Sequence, residues 1–110
     1  MGSKNSKPPL VSVIIATYNR ASIISQSIES VLDQTFKDFE IIVVDDGSSD
    51  GTEQLLRERF AGKLVYIRKE LKGGLSAARN TGVKAARVIY VAILDDDDLW
   101  LPEKLEMQVG

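Results

Sequence analysis

Four consecutive aspartates, Asp95 to Asp98, are the residues of this chain best suited to do chemistry. They directly follow the apolar run 88–94, which is rich in β-branched residues and too short for a buried helix of ordinary length. We interpret this run as a strand buried on both faces, as in a parallel sheet. The carboxylates would then lie at the carboxyl end of a strand, where ligands bind in open α/β sheets.

Adjacent carboxylates repel one another, so in a partly enclosed site they stay ionised only beside a cation, or one of them takes up a proton. Oxygen ligands in so short a span suit Mg²⁺ or Mn²⁺, shared with the phosphates of a substrate. A simpler interpretation is a solvated acidic run, or one aspartate capping the next helix. Capping uses one carboxylate and not four, and segment 99–109 after the run is amphipathic. The sequence therefore favours a metal site.

A second acidic group, the pair Asp45 and Asp46, follows the apolar run 39–44 and precedes Gly47. Because the carboxyl ends of parallel strands meet at one edge of a sheet, we expect this pair to lie near Asp95–Asp98. An acidic residue after the second strand of a nucleotide-binding fold typically accepts a hydrogen bond from sugar or base. The alternative is a turn and a helix cap, which explains Gly47 and Asp50 but not the two carboxylates before them.

Two further residues carry weaker signals. Tyr18 follows Thr17 at the end of the first apolar run and could stack on a base, although such an aromatic is more often a packing residue. Arg79 follows Gly73-Gly74 and could hold a diphosphate through two hydrogen bonds, or be an ordinary surface arginine. No glycine-rich dinucleotide fingerprint and no Walker-type loop is present, so phosphates would need a metal and basic side chains.

Strand and helix signals alternate along the chain, which predicts right-handed βαβ units and a parallel sheet. The strands are predicted at 11–16, 39–44, 64–67 and 88–94. Four helices are predicted. The first covers about residues 22–34, and the second follows a capping box at Asp50–Glu53, with Leu55, Leu56 and Phe60 as its buried stripe. The third has the small-residue face Leu75, Ala78, Gly82 and Ala86, and the fourth begins near Pro102.

Composition limits the function classes. The chain has 110 residues, enough for one domain, and a net charge of −2, which gives no reason to expect nucleic acid as a partner. The absence of cysteine excludes disulfides and zinc-thiolate sites. Residues 1–9 lack the apolar core of a signal peptide and are expected to form a flexible leader. We expect a cytoplasmic protein. If the chain is part of a longer parent protein, the inner face of a membrane is an alternative location for that parent.

Several segments match one family in order and in spacing. They are VSVIIATYNR (11–20), IESVLDQTF (28–36), FEIIVVDDGSSDGT (39–52), GLSAARNTG (74–82) and LDDDD (94–98) with PEKL (102–105). Together they closely resemble family 2 glycosyltransferases of the GT-A fold over about residues 10–108. The resemblance implies an α/β, Rossmann-like GT-A half-domain, with a mainly parallel four-stranded sheet in a three-layer αβα arrangement.

The resemblance also implies inverting transfer of a sugar from a nucleotide donor, most often a UDP-sugar, to an acceptor hydroxyl. It places Thr17 and Tyr18 at the nucleotide, with Tyr18 stacked on uracil. Asp46 would accept a hydrogen bond from the uracil N3–H, with Asp45 beside it.

The remaining implied roles concern the diphosphate and the metal. Arg79 would lie near the donor diphosphate. Asp95, Asp96 and Asp97 match the Asp-x-Asp motif, in which Asp97 would bind Mn²⁺ or Mg²⁺ and Asp95 or Asp96 would contact ribose or donor sugar.

The chain departs from the family in its length. The acceptor-binding half, which would hold a glycan or lipid, and the acidic catalytic base lie downstream in the family. We therefore expect residues 10–110 to be a donor-binding half without a catalytic residue of its own. We also expect an unprotected sheet edge that favours a homodimer.

Two alternatives stay open at this point. A non-catalytic flavodoxin-like or receiver-like module also carries acidic residues and Mg²⁺ at strand ends. A receiver usually needs an aspartate after its third strand, where this chain has Arg68-Lys69. The chain would also fit an excised or designed folding unit.

Overall fold

The computed structural model describes residues 9–69, 73–86 and 90–109, within which strands and helices alternate. The elements are β1 (Val11–Thr17), α1 (Ile24–Leu32), β2 (Phe39–Asp45), α2 (Thr52–Arg59), β3 (Val65–Arg68), α3 (Leu75–Ala85), β4 (Tyr90–Ile93) and α4 (Lys104–Val109). Each corresponds to an element predicted from the sequence, with ends shifted by a few residues. Residues 88 and 89 of the predicted fourth strand, and all but the last residue of the predicted leader, lie outside the described residues.

The sheet has the strand order β3-β2-β1-β4 and all three pairings are parallel. The chain moves outward from β1 to β3 and then returns to add β4 on the other side of β1. This reversal creates a crevice at the carboxyl ends of β1 and β4, where open α/β sheets bind their ligands. The predicted parallel four-stranded sheet is confirmed.

Alternate residues of the central strands point into two separate cores. Val13 and Ile15 of β1 face the core that α1, α2 and α4 cover, whereas Ile14 and Ala16 face α3. All four side chains are at most 3% exposed. The domain is therefore a three-layer αβα arrangement, as predicted.

Helix α3 approaches the sheet closely because its inner face consists of small residues. Ala78 and Gly82 are buried there. A Cβ atom at Gly82 would lie 2.5 Å from Ile14 Cγ2, a distance that real contacts do not reach. The predicted small-residue face is confirmed, and Gly82 sets the spacing between α3 and β1.

The expectation that the fourth strand is buried on both faces is wrong. Tyr90, Val91 and Ile93 are 50%, 40% and 47% exposed. The reason is that β4 lies at the edge of the sheet. Helix α3 packs on β1 and β2, and it leaves the neighbouring β4 largely uncovered. An exposed sheet edge was expected, and a homodimer through it stays a prediction.

The predicted capping box at the start of α2 is also wrong. The residue before the helix is Gly51, which has a φ of 91° and no side chain to donate or accept. Glu53 pairs with Arg57 instead of reaching back to Asp50. Asp50 nevertheless accepts hydrogen bonds from the amide and hydroxyl of Thr52, so it supports the first turn from one position earlier.

The other helix predictions agree with the structure. Leu56 and Phe60 are buried behind α2, Leu55 is partly buried, and Pro102 lies in the turn that precedes α4. Among the described residues, no helix has the length and apolar character needed to cross a bilayer.

Candidate functional site

Thr17, the last residue of β1, joins the two acidic loops that follow β2 and β4. Its hydroxyl donates a hydrogen bond to Asp96 Oδ2 at 2.8 Å. Its carbonyl oxygen accepts a hydrogen bond from the Asp46 amide at 2.9 Å. The structure thus brings together, around the fully buried Thr17, the acidic pair Asp45–Asp46 and the acidic run Asp95–Asp98, which the sequence placed at this edge.

Asp45 is fully buried and both of its oxygens accept hydrogen bonds from the protein. Oδ1 accepts from the Ser48 amide at 2.8 Å, and Oδ2 accepts from the Tyr66 hydroxyl. Arg68 Nη1 lies 3.7 Å from Oδ2 and compensates the buried charge. Burial, and then the hydrogen bond to Asp45, raise the pKa of the Tyr66 hydroxyl, so it remains a donor. Asp45 therefore fixes the loop after β2 against β3.

Asp46 is 1% exposed and binds the two glycines that precede α3. Its Oδ1 accepts a hydrogen bond from the Gly73 amide at 3.0 Å, and its Oδ2 accepts one from the Gly74 amide at 2.9 Å. Gly74 has a φ of 92°, a conformation that favours glycine. The predicted role of Asp46 toward uracil stays a prediction, and the structure adds this contact with the backbone of residues 73 and 74.

Asp96 differs from its three neighbours because it is only 4% exposed. Besides the bond from Thr17, it faces Arg20, whose Nε lies 3.8 Å from Oδ2. Burial raises the pKa of Asp96 although Thr17 and Arg20 oppose the shift, and the charge of Asp97 adds to it. Repulsion within the acidic run, expected from the sequence, therefore acts on a carboxyl that burial already disfavours as an anion.

Asp95 and Asp97 flank Asp96 and are exposed. Asp95 Oδ1 accepts a hydrogen bond from Arg79 Nη2 at 3.1 Å, which places Arg79 beside the acidic loop, while its predicted role toward a diphosphate stays a prediction. The guanidinium is about one-third exposed. A cation and two accessible carboxylates thus lie at the mouth of the crevice between β1 and β4.

The donor set of this loop fits a divalent cation that is shared with a ligand. Within residues 9–69, 73–86 and 90–109, no three histidine, cysteine, aspartate or glutamate side chains are placed to hold a metal by themselves. Mg²⁺ and Mn²⁺ do not require such a cage, because they commonly take one or two carboxylates and complete their shell with phosphate oxygens and water. Asp97, with Asp95 nearby, suits that arrangement.

Asn19 lies beside the candidate site, and no role for it was predicted from the sequence. It has a φ of 54°, in the left-handed region that asparagine tolerates better than most residues. Its amide donates to Ser48 Oγ at 2.7 Å, and its Oδ1 accepts from the Ser49 amide at 2.8 Å. Asn19 thereby fixes the turn after half-buried Tyr18 to the loop after β2. An asparagine directly after a strand was the available signal.

The family model described as glycosyl transferase family 2 matches residues 12–110. The chain belongs to this family. The family assignment confirms the resemblance and decides against the receiver-like alternative.

Two curated relatives show how much of a family 2 protein this chain represents. The UDP-Glc:alpha-D-GlcNAc-diphosphoundecaprenol beta-1,3-glucosyltransferase WfgD of Escherichia coli is 43% identical over 101 residues, which are 92% of this chain and 40% of the relative. The putative teichuronic acid biosynthesis glycosyltransferase TuaG of Bacillus subtilis is 42% identical over 103 residues, 92% of this chain and 41% of the relative. The chain thus spans about 40% of the length of these relatives.

Solved structures of glycosyltransferases share the fold. S. aureus TarS 1-349 in complex with UDP-GlcNAc superposes with a TM-score of 0.84 at 34% identity, over 91% of this chain and 30% of that TarS fragment. The mannosyltransferase PcManGT of Pyrobaculum calidifontis, in complex with GDP-Man and Mn²⁺, gives a TM-score of 0.76 at 31% identity, over 86% of this chain and 29% of that protein. These similarities confirm the GT-A fold predicted from the sequence.

Proposed function

We propose that this family 2 chain binds the nucleotide-sugar donor, a UDP-sugar, together with Mn²⁺ or Mg²⁺. In the longer parent the bound sugar would be transferred with inversion to a hydroxyl group of a glycan or lipid acceptor. The observation that carries the proposal is the meeting of two acidic loops and Arg79 at the crevice between β1 and β4, with Asp95 and Asp97 exposed. That crevice is the position at which open α/β sheets bind nucleotides.

Donor choice is supported by the names of the similar proteins. TarS is in complex with UDP-GlcNAc, and WfgD is named for a UDP-Glc donor. PcManGT is in complex with GDP-Man and Mn²⁺, which supports a metal but a different base. We assign the nucleotide to Thr17, Tyr18, Asp45 and Asp46 because they lie at and just after the carboxyl ends of the paired strands β1 and β2.

Arg79 is assigned to the diphosphate. It is held at the crevice by one hydrogen bond to the exposed Asp95, and a planar guanidinium can form paired hydrogen bonds with phosphate oxygens. Asp95 or Asp96 would contact ribose or donor sugar, and Asp97 would hold the metal. When bound, the metal would neutralise negative charge that develops on the leaving diphosphate. The chain's own contribution is to bind and orient the donor, since Asp45 and Asp46 fix the loops that surround it.

The location of the protein and its assembly are also proposals. We propose a cytoplasmic location, with the parent acting at the inner face of a membrane as the alternative. We propose a homodimer through the exposed side of β4, which sedimentation at increasing protein concentration would test.

The test of donor binding is a titration of UDP, followed by calorimetry, in Mn²⁺ and in EDTA. We expect tighter binding in Mn²⁺, and we expect Asp97→Ala to abolish the metal-dependent part. The matched control is Asp38→Ala, because Asp38 is also an exposed aspartate but precedes β2 at the opposite edge of the sheet. Equal UDP affinity in Mn²⁺ and in EDTA would contradict the proposal.

A further inference from the structure

Helix α1 presents polar side chains to the segment that follows the acidic run. Ser27 and Ser30 lie three residues apart in α1, and Gln34 lies four residues further, just beyond its end, so all three are on one side. Ser27 and Gln34 are 1% and 0% exposed. Buried polar side chains in native proteins have hydrogen-bond partners. Here most of those partners are backbone groups of residues 96–105, and the others are the carbonyls of Ser27 and Ser30 in α1.

Ser27 contacts the acidic loop itself. Its Oγ lies 2.6 Å from the Asp98 carbonyl oxygen and 3.0 Å from the Asp96 carbonyl oxygen. A hydroxyl has one hydrogen to donate, so the two carbonyls share it. These two carbonyls bracket Asp97, the residue assigned to the metal.

Ser30 and Gln34 act further along the chain. Ser30 Oγ accepts a hydrogen bond from the Trp100 amide at 3.1 Å. Gln34 Nε2 donates to the Leu101 carbonyl at 2.7 Å, and Gln34 Oε1 accepts from the Leu105 amide at 2.9 Å. These bonds fix the turn that leads into α4 but do not involve the residues on either side of Asp97.

The acidic loop is therefore held from two sides. From β1, Thr17 holds the Asp96 side chain at 2.8 Å. From α1, Ser27 holds the backbone before and after Asp97. Four adjacent carboxylates repel one another, so this loop has an electrostatic reason to move apart unless its backbone is fixed.

We propose that Ser27 is a positioning residue for Asp97, which fixes the backbone of the acidic loop and thereby sets the affinity of the divalent cation. The inference rests on the proposed function in so far as it names the cation. Residues that support a metal ligand through hydrogen bonds typically change metal affinity by about 10- to 100-fold when they are replaced. A substitution that only destabilised the fold would not weaken metal binding selectively.

The test compares Ser27→Ala with Gln34→Met as a control for general destabilisation. In the presence of saturating UDP, Ser27→Ala should weaken Mn²⁺ binding about tenfold, while UDP affinity in EDTA changes by less than about twofold. Gln34→Met should lower the urea midpoint at least as much, because it removes bonds to Leu101 and Leu105, yet leave Mn²⁺ affinity unchanged. Unchanged Mn²⁺ affinity in Ser27→Ala, or an equal loss in both variants, would overturn the proposal.

A measurement without any ligand separates this proposal from the proposed function. The Asp98 amide donates to the Asp95 carbonyl at 3.1 Å, which closes the acidic loop. Ser27→Ala should speed amide hydrogen exchange at Asp98 relative to β1, whereas Gln34→Met should speed it at Leu105. If UDP binding proves independent of metal, the proposed function fails, and exchange at Asp98 still decides whether Ser27 positions the loop. Unchanged exchange at Asp98 in Ser27→Ala would refute that role.

Discussion

Aspartates lie near the carboxyl ends of both β2 and β4, at the same edge of the sheet, but in opposite surroundings. Asp45 and Asp46 are at most 1% exposed, and their oxygens accept hydrogen bonds from other parts of the protein. After β4, only Asp96 is buried, and Asp95, Asp97 and Asp98 are exposed. The first pair fixes neighbouring backbone and side chains, whereas three of the four aspartates after β4 are accessible to ligands.

The position of each strand in the sheet explains this difference. β2 lies between β1 and β3, so Tyr66 of β3 and the entrance to α3 cover its carboxyl end. β4 is an edge strand with a neighbour on one side. At its carboxyl end, β1 and α1 cover Asp96, and Arg79 of α3 reaches Asp95. An acidic residue after a strand therefore has a role that depends on strand order.

The largest expected difference is in stability. Asp45→Ala leaves the Tyr66 hydroxyl and the Ser48 amide without their acceptor and Arg68 without its buried partner. We expect the free energy of unfolding to fall by about 2–4 kcal/mol, measured by urea denaturation. Asp97→Ala, at an exposed position, should change it by less than about 0.5 kcal/mol. Equal losses in the two variants would contradict the comparison.

The next effect concerns Asp46 and the nucleotide. In Asp46→Asn one carboxylate oxygen becomes an NH₂ group, which cannot accept from the Gly73 or Gly74 amide or from a bound base. We expect UDP to bind more weakly by about 1–3 kcal/mol, as measured by calorimetry. Should the variant bind UDP as tightly as the parent chain, Asp46 would act only on the backbone around α3.

The dependence of stability on pH should have opposite signs at the two loops. For Asp96, burial raises the pKa above the ordinary 3.8. Its contribution to stability is therefore complete below that value and is lost as the pH rises through the folded pKa. For Asp50, burial opposes ionisation, but hydrogen bonds from Thr52 and Ala21 outweigh it and lower the pKa below 3.8. Its contribution is present above the ordinary value and is lost as the pH falls through the folded pKa.

Urea denaturation of Asp96→Asn and Asp50→Asn in EDTA, at a series of pH values around 3.8, measures these signs. Relative to the parent chain, Asp96→Asn should gain stability as the pH rises above the ordinary aspartate value. Asp50→Asn should lose stability relative to the parent chain as the pH rises from the folded pKa of Asp50 toward that value. Parallel curves for the two variants would show that the loops do not differ in this respect.

The smallest expected effect on stability is at Arg79. Arg79→Ala removes a partly exposed pair with Asp95 and should change the free energy of unfolding by less than about 0.5 kcal/mol. Arg59→Ala, which removes the exposed pair with Glu29 on the far side of the domain, is the matched control. Both variants should be equally stable, but only Arg79→Ala should bind UDP more weakly. A similar UDP affinity in both would remove Arg79 from the site.

Local patterns predicted most of the fold because the two central strands have unambiguous signals. The inner parts of β1 and β2 are apolar on both faces, and both are buried as expected. The burial of β4 was predicted wrongly, because β-branched residues indicate a strand but not its place in the sheet. That place depends on the return of the chain past β1 and on the width that α3 covers, and neither is a local property.

The candidate site shows the same limit. Residue type and position after a strand were enough to indicate Asp46 and the run Asp95–Asp98 as candidates. The pair of glycines before a helix indicated Arg79, and the family resemblance singled out Asp97; their roles stay predictions. Ser27 and Gln34 carried no such signal, because they act on backbone groups 67 to 71 residues away, through contacts that exist only after folding. A buried serine in a helix reads in sequence as an ordinary helical position.

Thr17 gives the two loops a common mechanical link. One loop is attached to its hydroxyl and the other to its carbonyl, so neither can be displaced without strain on the same residue. Ligands that order the two loops would therefore bind cooperatively, and each would raise the affinity of the other by the same factor. Replacement of the hydroxyl by a methyl group, as in Thr17→Val, would disconnect the loops and leave two sites that respond independently.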